Sequence, residues 1–273
     1  MLWLRKGFKF FIMNVLASRI GIFANEWIRY LGQLTLLLSR TVACALTPPF
    51  KGNRSLIQAQ RIGPGSFMIS ALVGFFVGMI IALQMAYQMV QLSAELYIPN
   101  VIAVALTREL TPVLTALIVA GRIGARIAAE IGSMVVTEQV DALRAFAVDP
   151  IRYLVVPRFM ALVVMLPILT LFAILIGIFG GFLICSFKLS IDQHMYWSMV
   201  FDSLVIKDVV TGLVKTIFFG MIIAVTGCFE GLNVTGGADG VGKATTLSVV
   251  RSFILIIMFD CLFTFIFYFL FNA

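Results

Sequence analysis

Residues Met160 to Phe187 contain no charged side chain, and most of them are strongly apolar. This run exceeds the roughly 20 apolar residues that an α-helix needs to cross the hydrocarbon core of a bilayer. A transmembrane β-strand would be shorter and would alternate apolar with polar residues, whereas this run is continuously apolar. The chain is therefore predicted to be an all-α membrane protein.

The composition of the whole chain supports this class. Of its 273 residues, 61% are hydrophobic and only 12% are charged, whereas soluble proteins carry about 25% charged residues. Residues 63–273 are predicted to form a polytopic domain with five transmembrane helices. We expect these spans at about 67–90, 101–121, 159–187, 209–229 and 248–271.

Residues 1–62 are predicted to form basic, amphipathic helices at the membrane surface. Lys and Arg alternate there with Trp3, Phe8 and Trp27, and Glu26 is the only acid before residue 62. This interleaving is typical of helices at headgroup level and argues against nucleic-acid binding. A basic flank before the first span favours a cytoplasmic N-terminus, so that five spans leave the C-terminus on the opposite side. Gly63-Pro64-Gly65 is expected to be a hinge ahead of the first span.

Among the charged residues within the predicted spans, Arg108, Glu109 and Asp260 lie in apolar surroundings. Charged side chains are costly in hydrocarbon, so they are expected to face the protein interior and to be paired. Adjacent residues of a helix do not face each other, so Arg108 and Glu109 need partners on other helices, in water or in a lipid headgroup. Arginine suits phosphate groups well. A purely structural ion pair is the alternative.

The first span carries two further patterns. Its amides, Gln84 and Gln88, lie on one helical face with Gln91 just beyond the span. Such a face is expected to look onto a wet cavity or to form hydrogen bonds between helices. Gly74 and Gly78 form a weak GxxxG signal for close helix packing.

The segment from Arg122 to Arg158 is unusually polar for this chain. Arg122, Arg126 and Glu130 recur every four residues and share one helix face. Residues 137–145 are predicted to form a short helix that Thr137 caps, with acids in its first turn. Such a helix could dock into a groove of a partner protein, or the segment could be an ordinary solvated loop.

Catalytic and nucleotide-binding signals are weak. Residues 237–244 nearly match a phosphate-binding loop, but Ala244 replaces the hydroxyl residue that would bind magnesium. His194 is the only histidine, and the four cysteines do not have metal-ligand spacing. The chain is therefore expected to be no enzyme and to hold no metal or cofactor of its own.

Five segments of the sequence closely resemble the MlaE permease family: residues 108–117, 120–132, 137–143, 148–159 and 236–246. The resemblance extends over roughly residues 63–271. It implies the permease subunit of an ABC transporter, in which a homodimer in the bacterial inner membrane moves glycerophospholipids between the inner and outer membranes. Such a system maintains the lipid asymmetry of the outer membrane. The implied partners are a cytoplasmic ATPase, which binds the ATP and Mg²⁺, and a periplasmic MCE-domain protein.

The resemblance also assigns residues to two sites. It implies a lipid cavity at the dimer interface, lined by Ile81, Gln88, Met89, Leu92, Arg108, Glu109 and Leu110. It implies an ATPase-coupling region that includes Glu130, Thr137, Glu138, Asp141 and Arg144.

Two other functions remain as alternatives. A membrane-embedded enzyme that acts on lipid would use Glu109 and Asp260 as an acid–base pair, and would need these carboxyl groups close together. An ion- or proton-coupled carrier would transport its substrate with a gradient alone.

Overall fold

The computed structural model describes the backbone of residues 2–47 and 52–271, and the side chains at position 21 and over 25–47 and 53–269. Within these residues the chain contains helices and no β-strand. The helices are Leu2–Leu46, Gly52–Gln91, Glu95–Val136, Gln139–Ala145, Ile151–Leu189, Gln193–Ser203, Ile206–Leu232 and Gly237–Phe271.

Within the part of the chain that the structure describes, five helices are long and apolar enough to cross a membrane. We name them the first to fifth spans: Asn53–Gln91, Glu95–Val136, Ile151–Leu189, Ile206–Leu232 and Gly237–Phe269. The prediction of an all-α fold with five membrane-spanning helices is confirmed.

The second span extends further than expected, to Val136 rather than to about residue 121. Polar residues continue this helix because they pair along it: Arg126 Nε donates to Glu130 Oε1 at 2.8 Å, four residues away. Residues 122–136 are therefore part of a span helix, and the polar segment predicted for 122–158 is mostly not a loop.

The expected hinge at Gly63–Gly65 is wrong, because one helix runs from Gly52 to Gln91 and contains Pro64. The two glycines instead allow close packing. A Cβ atom at Gly63 would lie 2.5 Å from Met165 Cε, and one at Gly65 would lie 2.8 Å from Arg122 Nη2. The small size of Gly63 and Gly65, rather than their flexibility, is what the packing requires.

A single helix, Leu2–Leu46, occupies the region where surface helices were predicted. Tyr30 and Leu34 are buried against the spans, and the Tyr30 ring packs edge-on against Phe229. The guanidinium of Arg251 lies 4.3 Å from the centre of the Tyr30 ring and forms an ion pair with Glu230. The aromatic side chains Trp3 and Phe8 lie outside the described residues.

The Gln193–Ser203 helix connects the third and fourth spans. The Asp192 carboxylate caps it by accepting a hydrogen bond from the His194 N–H at 2.9 Å, and His194 itself is exposed. The buried Tyr196 hydroxyl donates to the Ile178 carbonyl at 2.9 Å. Burial, with a smaller contribution from Cys185, raises the pKa of Tyr196, so the phenol remains a donor.

The first and third spans approach each other backbone to backbone. Gly74 faces the carbonyl of Ala173, and Gly78 faces the carbonyl of Gly177, at distances that leave no room for a Cβ atom. The GxxxG pattern therefore lies at a helix–helix contact within the chain.

This contact predicts different effects for the same substitution at two glycines. Gly78→Ala should destabilise the protein by about 1–3 kcal/mol, because the added methyl group would force the two backbones apart. Gly121→Ala is the matched control, since a Cβ there would lie at an ordinary 3.8 Å from Phe253. It should be neutral or stabilising by up to about 1 kcal/mol. Equilibrium unfolding in mixed micelles, followed by circular dichroism, would measure both, and equal effects would contradict this packing.

Candidate functional site

A π-helical turn, Leu106–Leu110, occurs in the second span at the position of the charged pair Arg108 and Glu109. Such turns hold one extra residue and are frequent at functional sites. Asp208 and Lys215 lie seven residues apart on the fourth span, which is about two helical turns, so they share one face. Arg108 pairs with Asp208, and Glu109 pairs with Lys215.

Arg108 and Asp208 form a close ion pair. Arg108 Nε donates to Asp208 Oδ1 at 2.7 Å, and Nη2 of the same guanidinium lies 2.5 Å from that oxygen. The Asp208 side chain is 3% exposed, whereas that of Arg108 is 51% exposed. Since a guanidinium has five N–H donors, Arg108 retains donors for another acceptor.

Lys215 binds two carboxylates and a hydroxyl at once. Its Nζ donates to Glu109 Oε2 at 2.7 Å, to Asp260 Oδ1 at 2.9 Å and to Thr264 Oγ1 at 2.8 Å. These bonds use all three donors of the ammonium group. Thr264 in turn donates to Glu109 Oε1 at 2.9 Å. Lys215 is 1% exposed and Glu109 is 40% exposed, so the cluster is buried at the amine and open at one carboxylate.

These groups border a cavity of about 110 Å³, which we call the charged cavity. Together with Asp260, its charged residues comprise three bases and three acids, so their formal charges cancel. The cavity can therefore accept a polar group without leaving an unbalanced buried charge. Its lining residues are Arg108, Glu109, Lys207, Asp208, Thr211, Lys215, Thr264, Phe267 and Tyr268.

Only two of the seven residues assigned to the lipid site line this cavity within one chain, namely Arg108 and Glu109. Leu110 is exposed beside them. Ile81 is buried in a core with Ile102 and Ile178, and Met89 packs against that core. The other two residues are exposed near the end of the first span: Gln88 and Leu92.

Three residues of this site were not predicted from the sequence: Asp208, Lys215 and Thr264. A usable signal existed for the first two, because both are charged residues of an apolar span and their spacing puts them on one helix face. Thr264 gave no signal, since a hydroxyl is common in membrane helices.

The residues assigned to ATPase coupling lie at two places. Glu130 pairs with Arg126 and accepts from Arg158 Nη2 at 3.2 Å, within the helical bundle. The others belong to the exposed connection around the Gln139–Ala145 helix: Thr137, Glu138, Asp141 and Arg144.

The predicted N-cap at Thr137 is wrong. Its hydroxyl donates to the Ser133 carbonyl at 2.8 Å and accepts from Gln139 Nε2 at 3.0 Å, so it completes the preceding helix. Glu138 occupies the cap position with a φ of 57°, in the left-handed region. The Asp141 carboxylate accepts from Arg144 Nη1 at 2.9 Å across the short helix.

Two arginines of the polar segment are also involved in packing within the chain. Arg158 is buried and donates to the Leu154 carbonyl at 2.8 Å, while Arg122 lies against Gly65. Most residues of the connection over residues 137–150 are exposed. Residues 237–244, which nearly match a phosphate-binding loop, are helical. Gly236 lies in the turn before the fifth span, and Gly237 to Lys243 belong to the first helical turns of that span.

Comparison with known proteins gives a consistent family. The profile described as Permease MlaE matches residues 55–266. A probable ABC transporter permease protein of Rickettsia typhi is 45% identical over 132 residues, which are 48% of this chain and 51% of that protein. The intermembrane phospholipid transport system permease protein MlaE of Haemophilus influenzae is 36% identical over 134 residues, 49% of this chain and 51% of that protein.

A plant protein is also similar. The chloroplastic TRIGALACTOSYLDIACYLGLYCEROL 1 protein of Arabidopsis thaliana is 38% identical over 129 residues, 47% of this chain and 37% of that protein. The two bacterial alignments span about half the length of the relatives that they match.

The ionic cluster predicts a specific pattern of stability. Lys215→Met should destabilise the protein by about 3 kcal/mol, because Glu109 and Asp260 would face each other without a cation. This is the lower end of the range for buried pairs, since Glu109 is 40% exposed. Adding Glu109→Gln and Asp260→Asn should restore most of the lost stability, because these changes remove both unpaired carboxylate charges.

Unfolding in mixed micelles would test this pattern. The matched control is Lys243→Met, which removes an exposed lysine at the start of the fifth span. A loss of stability in the triple variant as large as that in the single one would show that the three charges do not act as a unit.

Proposed function

Because this chain belongs to the MlaE permease family, we propose that it is the permease subunit of an ABC transporter for glycerophospholipids. In this proposal it moves lipid between the inner and outer membranes of a bacterium and maintains outer-membrane lipid asymmetry. The Haemophilus relative is named as the permease protein of an intermembrane phospholipid transport system, which supports the substrate class.

The charged cavity is the observation that supports lipid handling most directly. It lies among apolar spans, and its walls offer both cationic and anionic groups with a net formal charge of zero. A phospholipid headgroup carries a phosphate, which the remaining N–H donors of Arg108 can bind. Acyl chains would lie along the apolar surfaces of the spans. The site binds and releases lipid without covalent chemistry.

We further propose that the lipid cavity is completed by a second copy of the chain. Several residues beside the first span and the π-helical turn are exposed in a single chain, so they are available to a second copy: Gln88, Leu92 and Leu110. Ile81 and Met89 would contribute from behind this surface.

ATP hydrolysis would come from a separate cytoplasmic ATPase that holds the ATP and Mg²⁺. The Gln139–Ala145 helix is the proposed contact, because Glu138, Asp141 and Arg144 are exposed around it. Phe146 follows directly with a side chain that is 80% exposed, which is unusual for an aromatic residue in water. Charged residues around an apolar anchor are well suited to a groove on a partner protein.

The proposed orientation places the N-terminus in the cytoplasm and the C-terminus in the periplasm of a multi-pass protein of the bacterial inner membrane. The basic flank before the first span supports it. The charged cavity then opens near the periplasmic side, where an MCE-domain protein would receive or deliver lipid.

The enzyme alternative receives little support from the ionic cluster. Glu109 and Asp260 do lie close together, but both bind the Lys215 ammonium, at 2.7 and 2.9 Å. Both carboxylates therefore belong to a structural ion cluster rather than to a free acid–base pair. Transport without ATP in proteoliposomes would support the carrier alternative instead.

The lipid proposal predicts that Arg108→Ala reduces phospholipid co-purification and transport about tenfold, the value of one charge-assisted hydrogen bond, while dimer assembly is unchanged. Asp208 is 3% exposed and would lose its partner, so the double variant Arg108→Ala, Asp208→Asn removes the stranded charge. Asp208→Asn alone is the matched control and should retain lipid. Normal transport by the double variant would exclude Arg108 from the mechanism.

The coupling proposal predicts that reversing the charges of the short helix, with Glu138→Lys and Asp141→Lys, detaches the ATPase. Both side chains are exposed, so the fold should survive the change. Asp202→Lys, an exposed acid on the Gln193–Ser203 helix, is the control. ATPase capture on the immobilised permease should fall for the reversed variant only, and unchanged capture would exclude this helix as the contact.

A further inference from the structure

The fourth and fifth spans are joined by a compact turn, which we call the glycine turn (residues 233–239). Gly236 and Gly237 have φ angles of 88° and 69°, in the left-handed region that favours glycine. A Cβ atom at Gly240 would collide with the Thr235 carbonyl, so the chain folds back tightly onto the start of the fifth span. The glycine turn therefore has a defined shape that depends on glycine at three positions.

The glycine turn lies beside the end of the second span. A Cβ atom at Gly132 would lie 2.8 Å from Val234 Cγ2 and 3.6 Å from Val241, and Val234 is buried in this contact. Gly132 belongs to the helix that ends at Val136, immediately before the Gln139–Ala145 helix. Because the third and fourth spans separate the two connections in sequence, both connections lie on the same side of the membrane. The glycine turn and the short helix are therefore neighbours on that side.

A groove of about 400 Å³ joins the two connections. Arg144 of the short helix and Asn233 of the glycine turn both line it, and both are exposed. Its apolar lining includes Leu36 of the N-terminal helix and two residues at the end of the fourth span, Phe229 and Leu232. The exposed surface of the short helix thus continues through this groove to the glycine turn.

The surface around the short helix is too small to hold a partner protein by itself. A specific, stable interface takes about 20–30 residues from each partner. The connection between the second and third spans is shorter, since it comprises residues 137–150, and Val140 within it is buried. An ATPase seated on the short helix therefore needs further surface on the same side of the membrane. The groove and the glycine turn supply exposed surface that adjoins it.

We propose that the glycine turn is a second contact for the cytoplasmic ATPase, next to the Gln139–Ala145 helix. This inference rests on the proposed function, which makes the ATPase the partner on this side. Four residues at the tip of the turn are exposed and have small side chains, so a partner can approach the main chain closely: Thr235, Gly236, Ala238 and Asp239. Asp239 forms no ion pair within the described residues, so its carboxylate is available to a donor of the ATPase.

The two contacts act on different spans. The short helix joins the second and third spans, whereas the glycine turn joins the fourth and fifth. Glu109 belongs to the first of these pairs of spans, and its partners Lys215 and Asp260 belong to the other pair. The ionic cluster therefore connects the two pairs of spans. An ATPase that holds both connections acts across the charged cavity.

Photo-crosslinking from three exposed positions tests the second contact. The amino acid p-benzoylphenylalanine replaces Ala238 at the tip of the turn, Phe146 beside the short helix, or Gln193 on the opposite side of the membrane. The permease is irradiated in its native membranes, where the whole complex is present, and each adduct is identified by mass spectrometry. We expect an adduct with an ABC ATPase from Ala238 and from Phe146, and none from Gln193.

The three positions separate this inference from the function on which it rests. An ATPase adduct from Phe146 without one from Ala238 would overturn the second contact and leave the proposed coupling helix in place. The absence of an ATPase adduct from both positions would overturn the second contact and the proposed coupling helix together. Adducts of Ala238 with lipid only would place the turn among the headgroups and would overturn the second contact, as would an equal ATPase adduct from Gln193.

A bulky side chain at the tip gives an independent measurement. Ala238→Trp should lower the capture of the ATPase on the immobilised permease about tenfold, because the added ring would obstruct a close contact. The fold should survive, since Ala238 is exposed, and unfolding in mixed micelles checks this. Gln193→Trp is the matched control, because it adds the same ring to an exposed site on the other side of the membrane. Equal capture by the two variants would overturn the second contact.

Discussion

The ammonium group of Lys215 is the constraint on which this structure depends. A lysine in the middle of an apolar span is costly unless every donor is satisfied. Here Glu109, Asp260 and Thr264 satisfy all three, and they come from two other spans. The fourth span therefore holds the second and fifth spans in register, because the ammonium group keeps all three partners only if they meet at one point.

Helix geometry makes this meeting possible. In a regular α-helix the adjacent side chains of Arg108 and Glu109 would diverge, and only one could readily reach the fourth span. The π-helical turn at Leu106–Leu110 changes the helix locally, and the two side chains reach Asp208 and Lys215. Small residues allow the necessary approach, since Gly212 packs directly against the Thr107 carbonyl. Stability and the proposed lipid chemistry thus depend on the same short segment.

Much of the fold followed from the apolar runs, because a run such as Met160–Phe187 admits only a spanning helix. The ends of the helices were harder to predict from the sequence, because paired polar residues such as Arg126 and Glu130 continue a helix beyond its apolar part. The glycines at 63 and 65 were misread, since close packing and chain bending leave the same signature in a sequence. The requirement for distant partners of Arg108 and Glu109 was evident from helix periodicity. The identity of those partners was not evident, because it depends on how three spans pack.

Binding of a phospholipid headgroup in the charged cavity is the proposal on which the function rests. It can be tested by placing the photo-crosslinking amino acid p-benzoylphenylalanine at Phe267, which lines the cavity, in cells whose phospholipids carry a phosphorus-32 label. Phe187, which is exposed and lies outside the cavity, reports contact with bulk lipid. We expect a labelled adduct at Phe267 that is lost when Arg108→Ala is added, and an adduct at Phe187 that is unaffected. Equal labelling at Phe267 with and without Arg108 would contradict it.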